Sequence, residues 1–326
     1  MKSPTTILVI GARGQIGTDL TAALRKHYGN HRVIAADLHL HGNIAPEDEG
    51  PAVTLNVLNK LELGKLVDQY KVTHIYLLAA LLSATGEQNP EFAWHLNMQG
   101  LFNVLELARE KHLQQVFWPS SIAVFGPESP KQQCPQFSDR SPRTVYGISK
   151  LAGEGWCQYY HEKFGVDVRS LRYPGLISHT AKPGGGTTDY AVDIFHQALQ
   201  HNRYTCFLTE DTTLPMMYMP DAIYATLSLM HAPAEQVRIR TSYNIHAFDL
   251  TPEKLAVAIQ QHLPAFRIQY QPDHRQQIAH SWPDTIDDQQ ARQDWAWKPH
   301  YAIPDMVNDM LTQLRKKPNH AFAIPS

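Results

Sequence analysis

Along the first half of the chain, short apolar runs alternate with stretches in which apolar residues recur every three or four positions. Residues 7–10 (ILVI) are apolar throughout, and residues 14–26 follow with helical periodicity. Strand-like runs recur at 32–36, 52–55, 74–78 and 115–118, the last closed by Pro119. Between them, 60–70 carries Leu61, Leu63, Leu66 and Val67 at helical spacing, and 91–110 reads as a long helix. A further helix is predicted over 145–164 and a sixth strand over 166–172. Strands apolar on both faces, separated by amphipathic helices, are the pattern of βαβ units whose parallel sheet is covered on both sides. The predicted fold is therefore α/β, a doubly wound parallel sheet of Rossmann type over residues 1–173.

Beyond Arg172 the alternation loosens. A Pro- and Gly-rich loop at 182–188 precedes helices at 190–200, 221–230, 252–262 and 303–314, with one strand-like run at 204–208. An insertion rich in Pro, Gln and Ser occupies 126–142, and the last dozen residues read as a tail. Residues 174–326 are expected to form a smaller α+β lobe for substrate, with some segments returning to the first domain.

Composition narrows the classes of function. With 43% hydrophobic and 18% charged residues over 326 positions, the chain has the makeup of a globular protein, not a disordered one. Lys plus Arg number 29 against 31 Asp plus Glu, and no basic block stands out, so no nucleic-acid partner is expected. The longest apolar runs, such as 75–82, are too short to span a bilayer, and with only six residues before the first strand no leader is expected within this chain, a pattern that a processed product shares. Cys134, Cys157 and Cys206 lie far apart, without disulfide or metal-ligand spacing, which suits a reducing cytosol. His39 and His41 form a His-x-His pair with no carboxylate or cysteine cluster to complete a metal site, so no metal is expected. A soluble cytoplasmic protein is the expectation.

Gly11-x-x-Gly14-Gln15-Ile16-Gly17 follows the first strand directly and opens the first helix. Glycines there let the backbone turn tightly and approach a pyrophosphate, and the helix N-terminus offers unpaired N–H groups to it. A turn that uses glycine for geometry alone is the alternative. Asp37 ends the second strand, twenty residues after Gly17. A carboxylate there accepts from an adenosine ribose and repels a 2′-phosphate, which favours NAD over NADP. A local loop cap is the competing role for Asp37.

Tyr146 and Lys150 stand four apart on one helical face, and Ser121 lies at the end of the fifth strand. A nearby ammonium favours the phenolate, which turns a poor base into a usable one. In these motifs, together with Tyr146-Gly147-Ile148-Ser149-Lys150 and Leu171-Arg172-Tyr173-Pro174, the chain resembles the extended short-chain dehydrogenase/reductase superfamily over most of its length. The resemblance implies Tyr146 as general base, Lys150 as its pKa-lowering partner and ligand of the nicotinamide ribose, and Ser121 orienting the reacting hydroxyl. It places Asn56 and Val57 near the adenine, with Asn where relatives carry Asp. It also puts Leu78, Ala79 and Ala80 beside the cofactor, Asn97 behind them as a brace, and Tyr173 on the nicotinamide side.

Three segments resemble the short-chain type of L-threonine 3-dehydrogenase: residues 78–87 (LAALLSATGE), 183–191 (PGGGTTDYA) and 281–284 (SWPD). This implies oxidation of L-threonine at its β-carbon by hydride transfer to NAD+, giving 2-amino-3-oxobutanoate. Ser83, Gly186, Thr187 and Trp282, with Ser121 and Tyr146, would contact the amino acid. The same resemblance implies a homodimer through the helices at 91–110 and 145–164. The alternative enzyme is an NAD-dependent nucleotide-sugar epimerase or dehydratase, which shares every cofactor motif. Such enzymes pair an arginine of Arg-x-Gly-Asp with the substrate diphosphate, and residues 281–284 supply none. A non-catalytic NAD-sensing regulator on this fold is a third class, and it tends to lose the tyrosine or lysine that this chain keeps.

Overall fold

The computed structural model describes residues 4–40, 50–180 and 186–316. Residues 1–3, His41, the glycines at 184 and 185, and the tail beyond 316 lie outside the described residues. The main sheet uses β1 (Ile7–Ile10), β2 (Val33–Asp37), β3 (Ala52–Thr54), β4 (His74–Leu77) and β5 (Gln115–Phe117). The two-residue β6 (Ser120–Ser121) leaves it, and β7 (Val168–Arg169) completes it. All six strands are parallel, in the order β3-β2-β1-β4-β5-β7. The order reverses between β1 and β4, and a doubly wound sheet binds ligands outside the carboxyl ends of its strands at that switch.

Successive side chains of a strand face opposite ways. Leu8 and Ile10 accordingly join a core with Leu63, Leu101, Val104 and Tyr160, from α2 (Lys60–Tyr70), α4 (Pro90–Glu110) and α5 (Val145–Phe164). Ile7 and Val9 join the other core, with Leu20 and Leu24 of α1 (Gln15–Tyr28). Asparagine and threonine side chains cap the helices of the first face: Asn59 accepts from Glu62, Asn89 from Phe92 and Thr144 from Gly147. The short α3 (Ser83–Gly86) lies between β4 and α4.

The remainder contributes β8 (Leu171–Tyr173), β9 (Gly175–Ile177), α6 (Tyr190–His201), β10 (Arg203–Cys206), β11 (Leu214–Tyr218) and α7 (Met219–His231). After these come β12 (Tyr243–Asn244), β13 (Phe248–Leu250), α8 (Pro252–Gln260), β14 (Arg267–Tyr270), α9 (Arg275–His280), α10 (Gln289–Trp295) and α11 (Ile303–Lys316). Two cores divide this half. Ala222 and Leu229 of α7, with Tyr243, Trp295 and Trp297, pack on the α1 side of the main sheet. Phe195, Met216, Leu255 and Met310 form a separate core that also takes Ile122, Val124 and Phe125 from the first half.

Several expected elements differ. The single strand read over 166–172 divides at Ser170: β7 stays in the main sheet, and β8 pairs with β6 and β12 in a three-stranded sheet. The two buried arginines take separate partners, Arg169 the Asp167 carboxylate and the Leu229 and Ala232 carbonyls, and Arg172 the Glu154 carboxylate. The strand expected at 204–208 ends at Cys206 and begins at Arg203. Six strands were not anticipated: β6, β9, β11, β12, β13 and β14, so Ser121, expected at the end of the fifth strand, stands instead on a separate strand paired with β8. β11 is buried at every position, yet it consists of Leu, Pro, two Met and Tyr, a composition with weak strand propensity. Tertiary burial decides it.

Candidate active site

The site is a cleft at the carboxyl edge of the main sheet. Its wider end, a cavity of about 410 Å³, is lined by Gly11, Arg13, Gly14, Asp37, Leu55, Asn56, Val57, Leu78, Ala79 and Ala80, among others. Gly11 has φ +87°, and a Cβ on it would stand 2.6 Å from the Ala79 nitrogen, so only glycine fits this cradle. Gly14 is the N-cap of α1, whose start carries no side-chain cap and no acid in its first turn. Its leading N–H groups and positive end are therefore open to an anion.

The Asp37 carboxylate accepts a 2.8 Å hydrogen bond from the Arg13 backbone N–H. That bond ties the end of β2 to the glycine turn. Asn56 lies on the lining, with its Oδ1 occupied by the Leu58 N–H at 3.0 Å. These residues fit a dinucleotide: a glycine cradle with an uncapped helix end for the diphosphate, and an acid at the ribose. Asn97 stands behind the lining. Its side chain accepts from Leu81 N at 2.9 Å, donates to Leu81 O at 3.2 Å and donates to Ser149 Oγ at 3.2 Å. It braces the 79–82 loop.

The narrower end, about 140 Å³, brings together Gln15, Ile16, Ser83, Ser121, Tyr146, Lys150, Tyr173, Gly186, Thr187 and Trp282 from widely separated parts of the chain. Ser121 comes from β6 and Tyr146 from the first turn of α5. Gly147 permits their approach, because a Cβ there would lie 2.1 Å from the Ala123 carbonyl oxygen. Burial pushes the Tyr146 phenol up to about 12, against the opposing pull of a hydrogen bond from Ser121. Burial brings the Lys150 ammonium down to about 7, partly offset by the nearby Cys157 and Glu154. Lys150 Nζ donates to the Pro119 carbonyl at 2.5 Å and lies 4.4 Å from the Trp118 ring centroid.

On the opposite wall, Thr187 is buried and its Oγ1 has no hydrogen-bond partner. That is the condition of a hydroxyl kept for a ligand. Gly186 lines this end as expected, and its N–H donates to the Asp189 carboxylate at 2.7 Å. Tyr173 lines the cleft, but its hydroxyl is bonded to Thr226.

A buried polar cluster behind the cleft was not foreseen. Glu154, fully buried one turn beyond Lys150, accepts from Arg172 Nε and Nη2, both at 2.8 Å, from Arg140 at 2.8 Å and from Ser120 Oγ at 2.6 Å. The cluster holds β6, and with it Ser121, against α5. Its members lie 14 to 34 positions from Glu154 along the chain, so no local spacing signals it. Arg13, Leu82, Thr188 and Asp189 also line the cleft without having been anticipated. Among the described residues no group of three or more His, Cys, Asp or Glu could hold a metal ion, and no helix is long and apolar enough to cross a membrane.

Comparison with known proteins agrees with this geometry. The NAD dependent epimerase/dehydratase family matches residues 7–245. An uncharacterized epimerase/dehydratase of Staphylococcus haemolyticus is 46% identical over 312 residues, covering 95% of this chain and 98% of its own. The holo form of a GalE-like L-threonine dehydrogenase from Cupriavidus necator superposes with a TM-score of 0.92 at 56% identity, over 95% of this chain and 99% of that one. A monomeric L-threonine 3-dehydrogenase from a metagenome, in its apo form, gives 0.92 at 44% identity, over 95% and 99%. A match spanning most of the chain leads to one conclusion: the chain belongs to the NAD dependent epimerase/dehydratase family, resembles its L-threonine dehydrogenases, and takes NAD as cofactor.

Proposed function

We propose that this protein is an NAD-dependent L-threonine 3-dehydrogenase, converting L-threonine to 2-amino-3-oxobutanoate as a cytoplasmic step of threonine catabolism. The observation that carries this reading is the convergence of Ser83, Ser121, Tyr146, Thr187 and Trp282 on one small cavity beside the cofactor cleft. Small hydroxyls and the Trp282 ring suit an amino acid, whereas residues 281–284 supply no arginine for the diphosphate of a nucleotide sugar. When bound, NAD+ supplies a hydride acceptor at its nicotinamide ring. Ser121 orients the substrate hydroxyl, and Tyr146 takes its proton. Lys150 Nζ lies 5.5 Å from the Tyr146 ring centroid, and its charge, when the amine is protonated, favours the phenolate. Thr187 and Ser83 bind the polar groups of the substrate, and Trp282 covers it and excludes water.

A homodimer is part of the proposal. Phe92 and Trp94 of α4 and Ile148, Trp156, Tyr159 and Phe164 of α5 are exposed large hydrophobics on two helices that pack on one another. Pairing of such faces buries them. The deciding experiment follows NADH formation with L-threonine and, because an epimerase or dehydratase regenerates its NAD+ in each cycle, chromatographic analysis of the sugar products from a panel of UDP-hexoses. Turnover of L-threonine alone is expected, and epimerised or dehydrated UDP-hexose without L-threonine turnover overturns the reading in favour of an epimerase.

A further inference from the structure

The insertion at 126–142 touches no part of the proposed chemistry directly, yet one of its residues is bound four times to the segment that carries Trp282. The Lys131 ammonium donates to the Trp282 carbonyl at 2.7 Å and also to the His280 carbonyl. Its own carbonyl accepts from Asp284 N at 2.8 Å and Thr285 N at 3.2 Å. The neighbours continue the strap. Gln132 donates to the Asp284 carboxylate at 3.0 Å, Gln133 N to Thr285 Oγ1 at 2.5 Å, and Cys134 exchanges backbone bonds with Thr285 and Asp287, both at 3.0 Å.

The other end of the insertion is fixed to the catalytic body. Arg140 pairs with Glu154 at 2.8 Å, and the Gln136 side chain bonds Ser242 O and Asn244 N, each at 2.8 Å. The strap thus connects the helix that bears Tyr146 and Lys150 to the turn that bears Trp282. α9 ends at His280, where Ser281 and Trp282 N–H close on the Ile278 and Ala279 carbonyls at 3.0 and 3.1 Å. The His280 and Trp282 carbonyls lie past that closure and take their donor from Lys131. A cation is the favoured donor at a helix C-terminus. Trp282 is itself buried, with its side chain on the substrate end of the cleft.

We propose that Lys131 is a positioning residue for the substrate: by binding the carbonyls of His280 and Trp282 it sets the distance between the Trp282 wall and Tyr146. The inference rests on the L-threonine reading. Lys131 is solvent-exposed and lines neither end of the cleft, so replacing it leaves cofactor and catalytic groups untouched.

The test is steady-state kinetics of Lys131→Met and Lys131→Arg, with NADH binding by fluorescence and thermal melting measured on the same samples. Lys131→Met is expected to raise KM for L-threonine about tenfold, with little change in kcat, in KM for NAD+ or in NADH affinity. Lys131→Arg keeps the charge and the donors and should restore most of the loss. An L-threonine KM unchanged in Lys131→Met overturns the inference alone. So does an equal loss of NADH binding and melting temperature in both variants, which would mark a plain structural role. A wild-type protein that does not turn over L-threonine overturns the proposed function, and this inference with it.

Discussion

Tyr146 and Lys150, one turn apart on α5, are displaced in opposite directions by the same burial, the phenol up to about 12 and the ammonium down to about 7. Each cost falls on the charged form, and each is reduced when the two charges coexist. Burial therefore disfavours both charged forms, and a positive charge brought into the site favours the phenolate while drawing the ammonium further down.

Folding stability should record the lysine. The folded chain holds Lys150 at about 7, below its ordinary 10.5, so between these values the unfolded chain binds more protons and stability rises with pH. The burial penalty is full below pH 7 and gone above 10.5. Lys150→Met removes this dependence. Its melting temperature relative to wild type should fall steadily from pH 7 to pH 10, in the absence of NAD. A difference constant across that range would show that the ammonium is not desolvated.

Tyr146→Phe should fold, bind NADH with wild-type affinity and lose about two to four orders of magnitude in kcat. The ring remains to pack, while the hydroxyl that meets Ser121 is gone. Wild-type turnover in this variant would assign the base to another group.

Thr187→Val separates binding from stability. A buried hydroxyl without a partner costs about 1–3 kcal/mol, so its removal should leave the melting temperature unchanged or raise it. Loss of one substrate hydrogen bond should raise KM for L-threonine by about tenfold. A drop in stability with unchanged KM would contradict the assignment.

NAD+ should be preferred over NADP+ by about a hundredfold or more in kcat/KM, because the Asp37 carboxylate faces the adenosine end and like charges brought together cost several kcal/mol. Asp37→Ser should narrow the ratio, and equal use of both cofactors by the wild type would remove Asp37 from this role.

Gly147→Ala tests how finely α5 is seated. A Cβ 2.1 Å from the Ala123 oxygen and 2.8 Å from Pro142 Cβ cannot be accommodated without moving the helix start. Displacement of Tyr146 by about an ångström should lower kcat on the order of a hundredfold, with a stability loss of about 1–3 kcal/mol. Wild-type kcat would mean that the helix start tolerates the shift.

Local features of the chain were enough for the parallel sheet and its cofactor edge. Apolar runs such as 7–10 and periodic stretches such as 60–70 encode strand and helix through the geometry of the backbone, and Gly11, Gly14, Gly17 and Asp37 lie within one βαβ unit, where spacing along the chain is spacing in space. Tyr146 and Lys150 were legible for the same reason, as neighbours on one helical face.

What tertiary structure alone decided lies across long separations. That Ser170 marks a change of sheet, that β11 becomes a strand despite its methionines, that Glu154 meets Arg172 and Arg140, and that Lys131 grips the Trp282 turn are all outcomes of packing. Gly186 shows the same in the site itself: its N–H meets the Asp189 carboxylate, a partner its residue type does not announce. Buried charges and backbone groups take whichever partner the fold brings within hydrogen-bond reach, and no periodicity along the chain records which one that is.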